Sequence, residues 1–145
     1  MNKKFWVGFI VLFVLMSIMS FIIHAVLLSS TYMAPDVMKL MRPEAEMMGM
    51  MWIYYVVYLI VAFVLTWIFS KGYEGKGIAE GVRYGFFTGL LMATPMAYAS
   101  YAMYPIPYSL ALQWFLYGMI EYIILGVALA LVFGKNATVT KVAAS

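Results

Sequence analysis

Four long apolar stretches dominate the chain, at about residues 5–28, 48–70, 82–103 and 108–133, and short segments between them hold most of the charge. Crossing the hydrocarbon core of a bilayer takes about 20 apolar residues in a helix, and each stretch is long enough. The pattern predicts an all-α fold: a four-transmembrane-helix bundle of two antiparallel helical hairpins, forming a single integral membrane domain over residues 1–145. The ends of the stretches carry their own punctuation. In "RPEAE", Pro43 suits a helix's first position and Glu44 and Glu46 its first turn, where carboxylates complement the dipole, so the second helix is expected to begin ahead of its apolar run. In "YPIPY", Pro105 and Pro107 stop one helix and restart the next. The basic start "MNKK" resembles a secretion signal, but the apolar run after it continues through "FIIHAVLL". A signal core is typically 7–15 residues with a small-residue cleavage site, so the first stretch reads as a retained anchor.

Composition agrees: 66% of the residues are hydrophobic and 10% charged, against roughly 25% charged in soluble domains. The net charge of +3 is scattered and forms no patch that would hold nucleic acid. Seven of the nine basic residues fall in three places: Lys3 and Lys4; Lys71, Lys76 and Arg83; Lys135 and Lys141. By the positive-inside rule, both termini and the loop "KGYEGKGIAEG" are cytoplasmic, while residues 29–47, with a short interfacial helix, and the "YPIP" turn face outward. Trp52, Tyr54, Tyr55, Tyr58, Tyr104, Tyr108 and Trp114 then read as interfacial aromatics. With no cysteine in the chain, disulfides, thiolate metal sites and a cysteine nucleophile are excluded.

Helices associate in lipid through close fit at small residues, and Gly81, Gly85, Gly89, Ala93 and Ala97 recur every four positions, with Gly118, Gly126 and Ala130 in the fourth stretch. They form a packing seam whose partner, within the chain or in a second subunit, the spacing leaves open. A weak echo at one offset pairs Gly8 with Gly85, Ser17 with Thr94 and Met19 with Met96, as a parallel duplication of the two hairpins would.

Charge inside a span is costly and usually faces the bundle interior or a wet cavity. Glu121 is the one charged residue deep in a stretch. Thr94 and Ser17 fall at a similar depth, Pro95 frees the carbonyl of Leu91, and Tyr117 lies one turn above, so a polar pocket of Glu121, Thr94, Tyr117 and Ser17 is expected. Three roles stand for Glu121: neutral hydrogen-bonding glue, proton or cation handling, and pairing with a partner subunit. On the first stretch Ser17, Ser20 and His24 share an inward face, with His24 as a packing residue, a metal or haem ligand, or a proton relay.

The segments "HAVLLSSTY", "RPEAEM", "YEGKGIAEGVRYG" and "PIPYSLALQWFLYGMIEY" resemble a group of short bacterial four-span membrane proteins of unknown function. The resemblance implies the tetraspan fold and a bacterial inner membrane, singles out His24, Tyr32, Arg42 and Glu46 as an outer polar cluster together with Glu121, and implies no activity.

Six of the fourteen methionines lie in "MKLMRPEAEMMGMM". Thioethers at Met47, Met50 and Met51 with a nitrogen from His24 would suit Cu(I), but methionine also supplies adaptable apolar surface, and an interfacial helix packed over the bundle mouth is the expected arrangement. No cofactor is expected. Neither a G-x-S-x-G elbow, an H-E-x-x-H pair nor a phosphate-binding glycine loop is present, which argues against an enzyme. The expected role is a structural or accessory subunit of a membrane assembly, in contact with lipid and as a homo-oligomer or part of a larger complex. The alternative is a small proton- or cation-coupled transporter or channel built around Glu121.

Overall fold

The computed structural model describes residues 2–134, which are helical with no strand among them. Helix α1 (Lys3–Ser20) starts at Asn2, whose side chain accepts from the Phe5 amide, and runs directly into a π-helical segment, Phe21–Leu27. Two single-turn helices follow, α2 (Ser29–Tyr32) and α3 (Pro35–Met38). Helix α4 (Glu44–Gly72) begins directly after Pro43, as expected from "RPEAE", and its 29 residues rise about 43 Å at 1.5 Å each. Helix α5 (Ile78–Thr94) continues through a second π segment, Pro95–Ala99, into α6 (Ser100–Met103), and α7 (Tyr108–Gly134) completes the chain. Both π segments widen the backbone spiral at a defined place, and the second begins at the proline that removes a helix donor.

Three helical runs, Lys3–Leu27, Glu44–Gly72 and Tyr108–Gly134, are long and apolar enough to cross a membrane. The run 78–103 is helical from end to end, but glycine, threonine, serine and tyrosine dilute it and the π segment divides it, so length and apolarity alone do not mark it as a crossing. Lys135 and Lys141, two of the charges used for orientation, lie outside the described residues.

The start of α1, the loop after α4 and the end of α7 meet at one end of the bundle: Lys4 Nζ donates to the Phe133 carbonyl, and Asn2, Lys71 and Phe133 line one surface pocket. At the other end Val37 of α3 is buried with Ile106, Leu110 and Ala111. Close to the first end, α1 lies between α4 and α7, its Leu12 and Met16 packing with Ala62, Leu65, Phe69, Leu125, Leu129 and Phe133. Phe69, Tyr73, Tyr84 and Phe133 close that end with ring centroids 5.1–5.7 Å apart.

The glycine seam joins α5 to α7 within the chain. Gly81, Gly85, Gly89, Ala93 and Ala97 are all buried. A Cβ on Gly81 would meet the Gly126 carbonyl oxygen at 2.5 Å, one on Gly85 the Tyr122 oxygen at 2.4 Å, and one on Gly118 the Ala93 Cβ at 2.9 Å. The partner left open by the spacing is therefore α7, and backbone lies against backbone along the seam.

The methionine segment departs from expectation. Instead of one interfacial helix over the bundle mouth, residues 29–47 form α2, α3 and the first turn of α4, and every residue from 41 to 57 is exposed. The capping position is taken by Val37, 1% exposed against Ile106 and Leu110. Pro43 is extended (φ −51°, ψ 141°), and α4 starts there as a helix longer than a bilayer crossing needs, so its outer turns carry Met47, Met48, Met50 and Met51 past their neighbours.

Candidate functional site: two polar layers

Two layers of polar side chains connect the helices. In the outer one, the π segment of α1 presents His24, whose Nδ1 lies 2.6 Å from the Tyr32 hydroxyl, the two rings stacked 9° from parallel. Trp114 of α7 donates its indole N–H to the same hydroxyl at 2.8 Å, and Thr31 donates to the Gln113 side-chain oxygen at 3.3 Å. The indole can only donate, so the Tyr32 oxygen accepts from it and its single proton is free for His24 Nδ1. Burial pushes the Tyr32 hydroxyl up to about 12, with the Trp114 hydrogen bond a smaller opposing effect, so Tyr32 keeps its proton at neutral pH.

The local backbone explains the first of these contacts. Leu28 donates to the Ile23 carbonyl at 2.9 Å across five residues, one residue more than an α-helical turn spans. The wider turn re-aims His24 relative to the regular Ser17, Ser20, His24 stripe, and α2, one turn later, brings Tyr32 back to it. π segments inside helices occur frequently at functional sites.

The inner layer holds Glu121. The Ser20 and Tyr58 hydroxyls share a hydrogen bond of 2.5 Å between α1 and α4, and Glu121 on α7 lies within electrostatic reach of Tyr58 and Tyr122. Tyr54 and Tyr55 flank Tyr58, each ring centroid 6.4 Å from it. One turn further along α7 from Glu121, Leu125 packs into the apolar core with Leu12, Leu65 and Leu129.

Of the four residues expected in one pocket, Ser17 donates to the Phe13 carbonyl of its own helix at 2.9 Å, and Thr94 is exposed on the outer side of α5. Tyr117 is partly buried on α7. Ser20 and Tyr58, not Ser17 and Thr94, join α1 and α4 at the level of Glu121. Tyr58 is the one residue of the stretch 51–60 that is not exposed, and Trp114 is tied to Tyr32, so neither is a free interfacial anchor. The outer polar cluster divides in two. His24 and Tyr32 come together, while Arg42 pairs with Glu46 at 3.4 Å on the exposed first turn of α4. Met47, Met50 and Met51 are all exposed on that same helix, and His24 keeps only Nε2 uncommitted. No group of three or more His, Asp or Glu side chains suited to a metal converges among the described residues.

Glu80 was not foreseen. It is 4% exposed, and its two carboxylate oxygens accept the Glu74 amide at 2.6 Å and the Lys76 amide at 2.8 Å. It is the third helical residue after Gly77, the position from which an acid reaches back to cap a helix start, and that spacing was the available signal. Outside this clamp Glu74 pairs with Lys76 and, at 3.2 Å, with Arg83. Hydrogen bonds from those two cations hold the Glu74 carboxyl below the usual carboxylate range. Arg83 is thereby committed away from Glu121.

A pocket of about 210 Å³ at the Lys71 end is lined by Asn2, Phe5, Trp67, Ser70, Lys71 and Phe133, and contains neither acid nor histidine. At the other end, beyond the Ser20–Tyr58 contact, the outer half of α4 is exposed.

No family model, curated protein or solved structure matches the chain. Its class is thus set by its own features: an all-helical protein with three helices long and apolar enough for a membrane and two internal polar layers.

Proposed function

We propose that this is a four-crossing bundle of the bacterial inner membrane with both termini cytoplasmic, serving as an accessory subunit that docks another membrane polypeptide on the outer half of α4. The observation that carries the reading is the exposure of residues 41–57 around the whole helix circumference. A helix within a bundle ordinarily turns one stripe toward its neighbours, yet four turns of α4 bury nothing. Their surface of Met48, Met51, Trp52, Tyr54 and Tyr55 combines adaptable thioethers with large rings, the residue types enriched at interfaces. A second helix would fill the side of such a rod at close-packed density, with van der Waals contact as the drive in lipid.

A photo-reactive side chain placed at Met48 or Trp52, 70% and 64% exposed, is expected to capture a second polypeptide in native membranes. The same probe at Leu91, 71% exposed on α5, is expected to capture none. Lipid adducts alone from all three positions would rule out the docking role.

The crossing pattern is supported by the meeting of Lys4, Lys71 and the α7 terminus at one end, opposite the Val37–Ile106 cap. Because the chain has no cysteine, single-cysteine labelling reads it directly. Cysteine at Lys76 should react with an impermeant reagent only from the cytoplasmic side, and cysteine at Glu44 or Tyr104 only from the outer side. Labelling of the Lys76 position from outside would invert or break the topology.

A second reading is cation or proton handling at Glu121: among the described residues no ion pair to Glu121 is present, and Arg83, the basic residue of the α5 stretch, is held by Glu74.

A further inference from the structure

The pocket at the Lys71 end offers donors and positive charge. The buried rings of Phe5 and Phe133 form its floor, and Asn2 and Lys71 are exposed at its rim. Asn2 Oδ1 accepts the Phe5 amide at 3.0 Å, so the side-chain NH2 remains to donate. The Ser70 hydroxyl gives its proton to the Trp67 carbonyl at 2.7 Å. Lys71 Nζ stands 5.8 Å from the centroid of the Trp67 ring, and Lys4 reaches the lining through the Phe133 carbonyl with ammonium donors left over. Among the described residues neither lysine pairs with a carboxylate. The acids of the neighbouring loop are already engaged, Glu80 by the Glu74 and Lys76 amides and Glu74 by Lys76 and Arg83. A lining with free donors, two nearby ammonium groups and no acid calls for an anion.

Size and position select which anion. Drug-sized ligands occupy about 300–1,000 Å³, and the volume of about 210 Å³ admits a smaller group such as a phosphate diester. Trp67 and Lys71 lie one turn apart at the end of α4, and an exposed tryptophan with a terminal lysine marks the boundary between lipid and water. Away from that end the pocket continues into an aromatic strip. Phe5 and Phe9 each meet the Phe63 ring edge-on, at 5.3 and 6.0 Å, and Phe63 is exposed one turn before Trp67. A free anion gains nothing from that strip, whereas an acyl chain packs on it. A zwitterionic choline headgroup would bring its own ammonium beside the two lysines. We infer that the pocket binds the phosphate of an anionic phospholipid, held by Asn2, Lys71 and Lys4, with an acyl chain along Phe63 and Trp67. This site goes beyond the docking role and lies at the opposite end of α4 from residues 41–57. It needs only that the chain be in a membrane, and labelling at the Lys76 position reads separately which leaflet it serves.

The test uses the full chain in detergent micelles doped with equal amounts of phosphatidylglycerol and phosphatidylcholine, with bound lipid counted by native mass spectrometry. The wild type should retain one phosphatidylglycerol per chain in preference to phosphatidylcholine. Lys71→Gln should weaken that binding about fivefold, the worth of one lysine at an anionic surface. Asn2→Asp keeps the helix cap, because aspartate caps as well as asparagine. It turns the donor into a like charge, and binding should fall about tenfold or more. Lys76→Gln removes the same charge from the same end of the bundle but outside the pocket, and should stay within about twofold. Equal retention of the two lipids, equal losses in Lys71→Gln and Lys76→Gln, or unchanged binding in Asn2→Asp overturns the site. So does displacement of phosphatidylglycerol by inorganic phosphate at equal concentration, which would make the pocket a site for the free anion.

Discussion

Gly126→Ala and Gly85→Ala are each expected to destabilise the bundle by about 3 kcal/mol, the upper range for overpacking, although each adds one methyl group to a helix. The new Cβ at position 126 would lie 2.2 Å from the Gly81 carbonyl oxygen and 2.7 Å from the Gly85 amide nitrogen; at position 85 it would lie 2.4 Å from the Tyr122 carbonyl oxygen. These atoms are backbone, so no rotamer change relieves the contact and the helices must move apart by about 1 Å. A gap of that size forfeits a quarter to a half of each dispersion contact, and it acts along all 17 residues of α5. Helix propensity argues the other way, since alanine stabilises a helix by about 0.5–1 kcal/mol relative to glycine. Gly49, in α4 with nothing within 4 Å of its would-be Cβ, isolates that opposing effect. Gly49→Ala should therefore be neutral or slightly stabilising. Unfolding in mixed micelles, followed by circular dichroism as the denaturing detergent fraction rises, reads both. A Gly126→Ala midpoint equal to that of Gly49→Ala would mean that α5 and α7 do not meet along this seam.

The second large effect is expected at the opposite kind of residue, a buried acid. Glu80→Ala removes the acceptor of two backbone amides in the loop before α5, and amides left without a partner cost about 1–3 kcal/mol in total where water reaches them in part. The loop depends on this because Gly75 and Gly77 take positive φ, +76° and +71°, a geometry that releases the ladder bonds of a helix. Glu80→Gln keeps the shape and one good acceptor, so it should lose less than half as much. Glu74→Gln, which breaks only exposed pairs to Lys76 and Arg83, should change stability little because solvent screens them. The sign of the Glu74 effect with pH follows from its lowered pKa. Its small contribution is present above the ordinary value of 4.5 and is lost as pH falls through the depressed value. Hydrogen exchange at the Glu74 and Lys76 amides distinguishes the two acids. Glu80→Ala should speed exchange at both by at least tenfold, and unaltered protection would show that the clamp does not hold the loop.

What could be read from the chain alone was whatever depends on neighbours in sequence. Long apolar runs demanded helices because a backbone in lipid must bond to itself. Pro43 with Glu44 and Glu46 marked where α4 begins, Pro105 and Pro107 bounded the turn before α7, and the four-residue recurrence of Gly81, Gly85 and Gly89 marked a close-packed face. Each is a local matter of dihedrals, donors or helical period. What only the tertiary structure decided was direction around each helix axis and the partner found there. Thr94 and Glu121 have comparable depth along their helices, but Thr94 turns outward on α5 while Ser20 and Tyr58 meet beside Glu121. One wider turn at Phe21–Leu27 re-aimed His24 toward Tyr32, and no residue type in that segment announces a π turn. Arg83 went to Glu74 and not to Glu121, and Val37, not the methionines, took the capping position. An apolar helix in lipid is nearly as well solvated on every face, so hydropathy cannot say which face turns inward; close packing and a few long-range hydrogen bonds choose it.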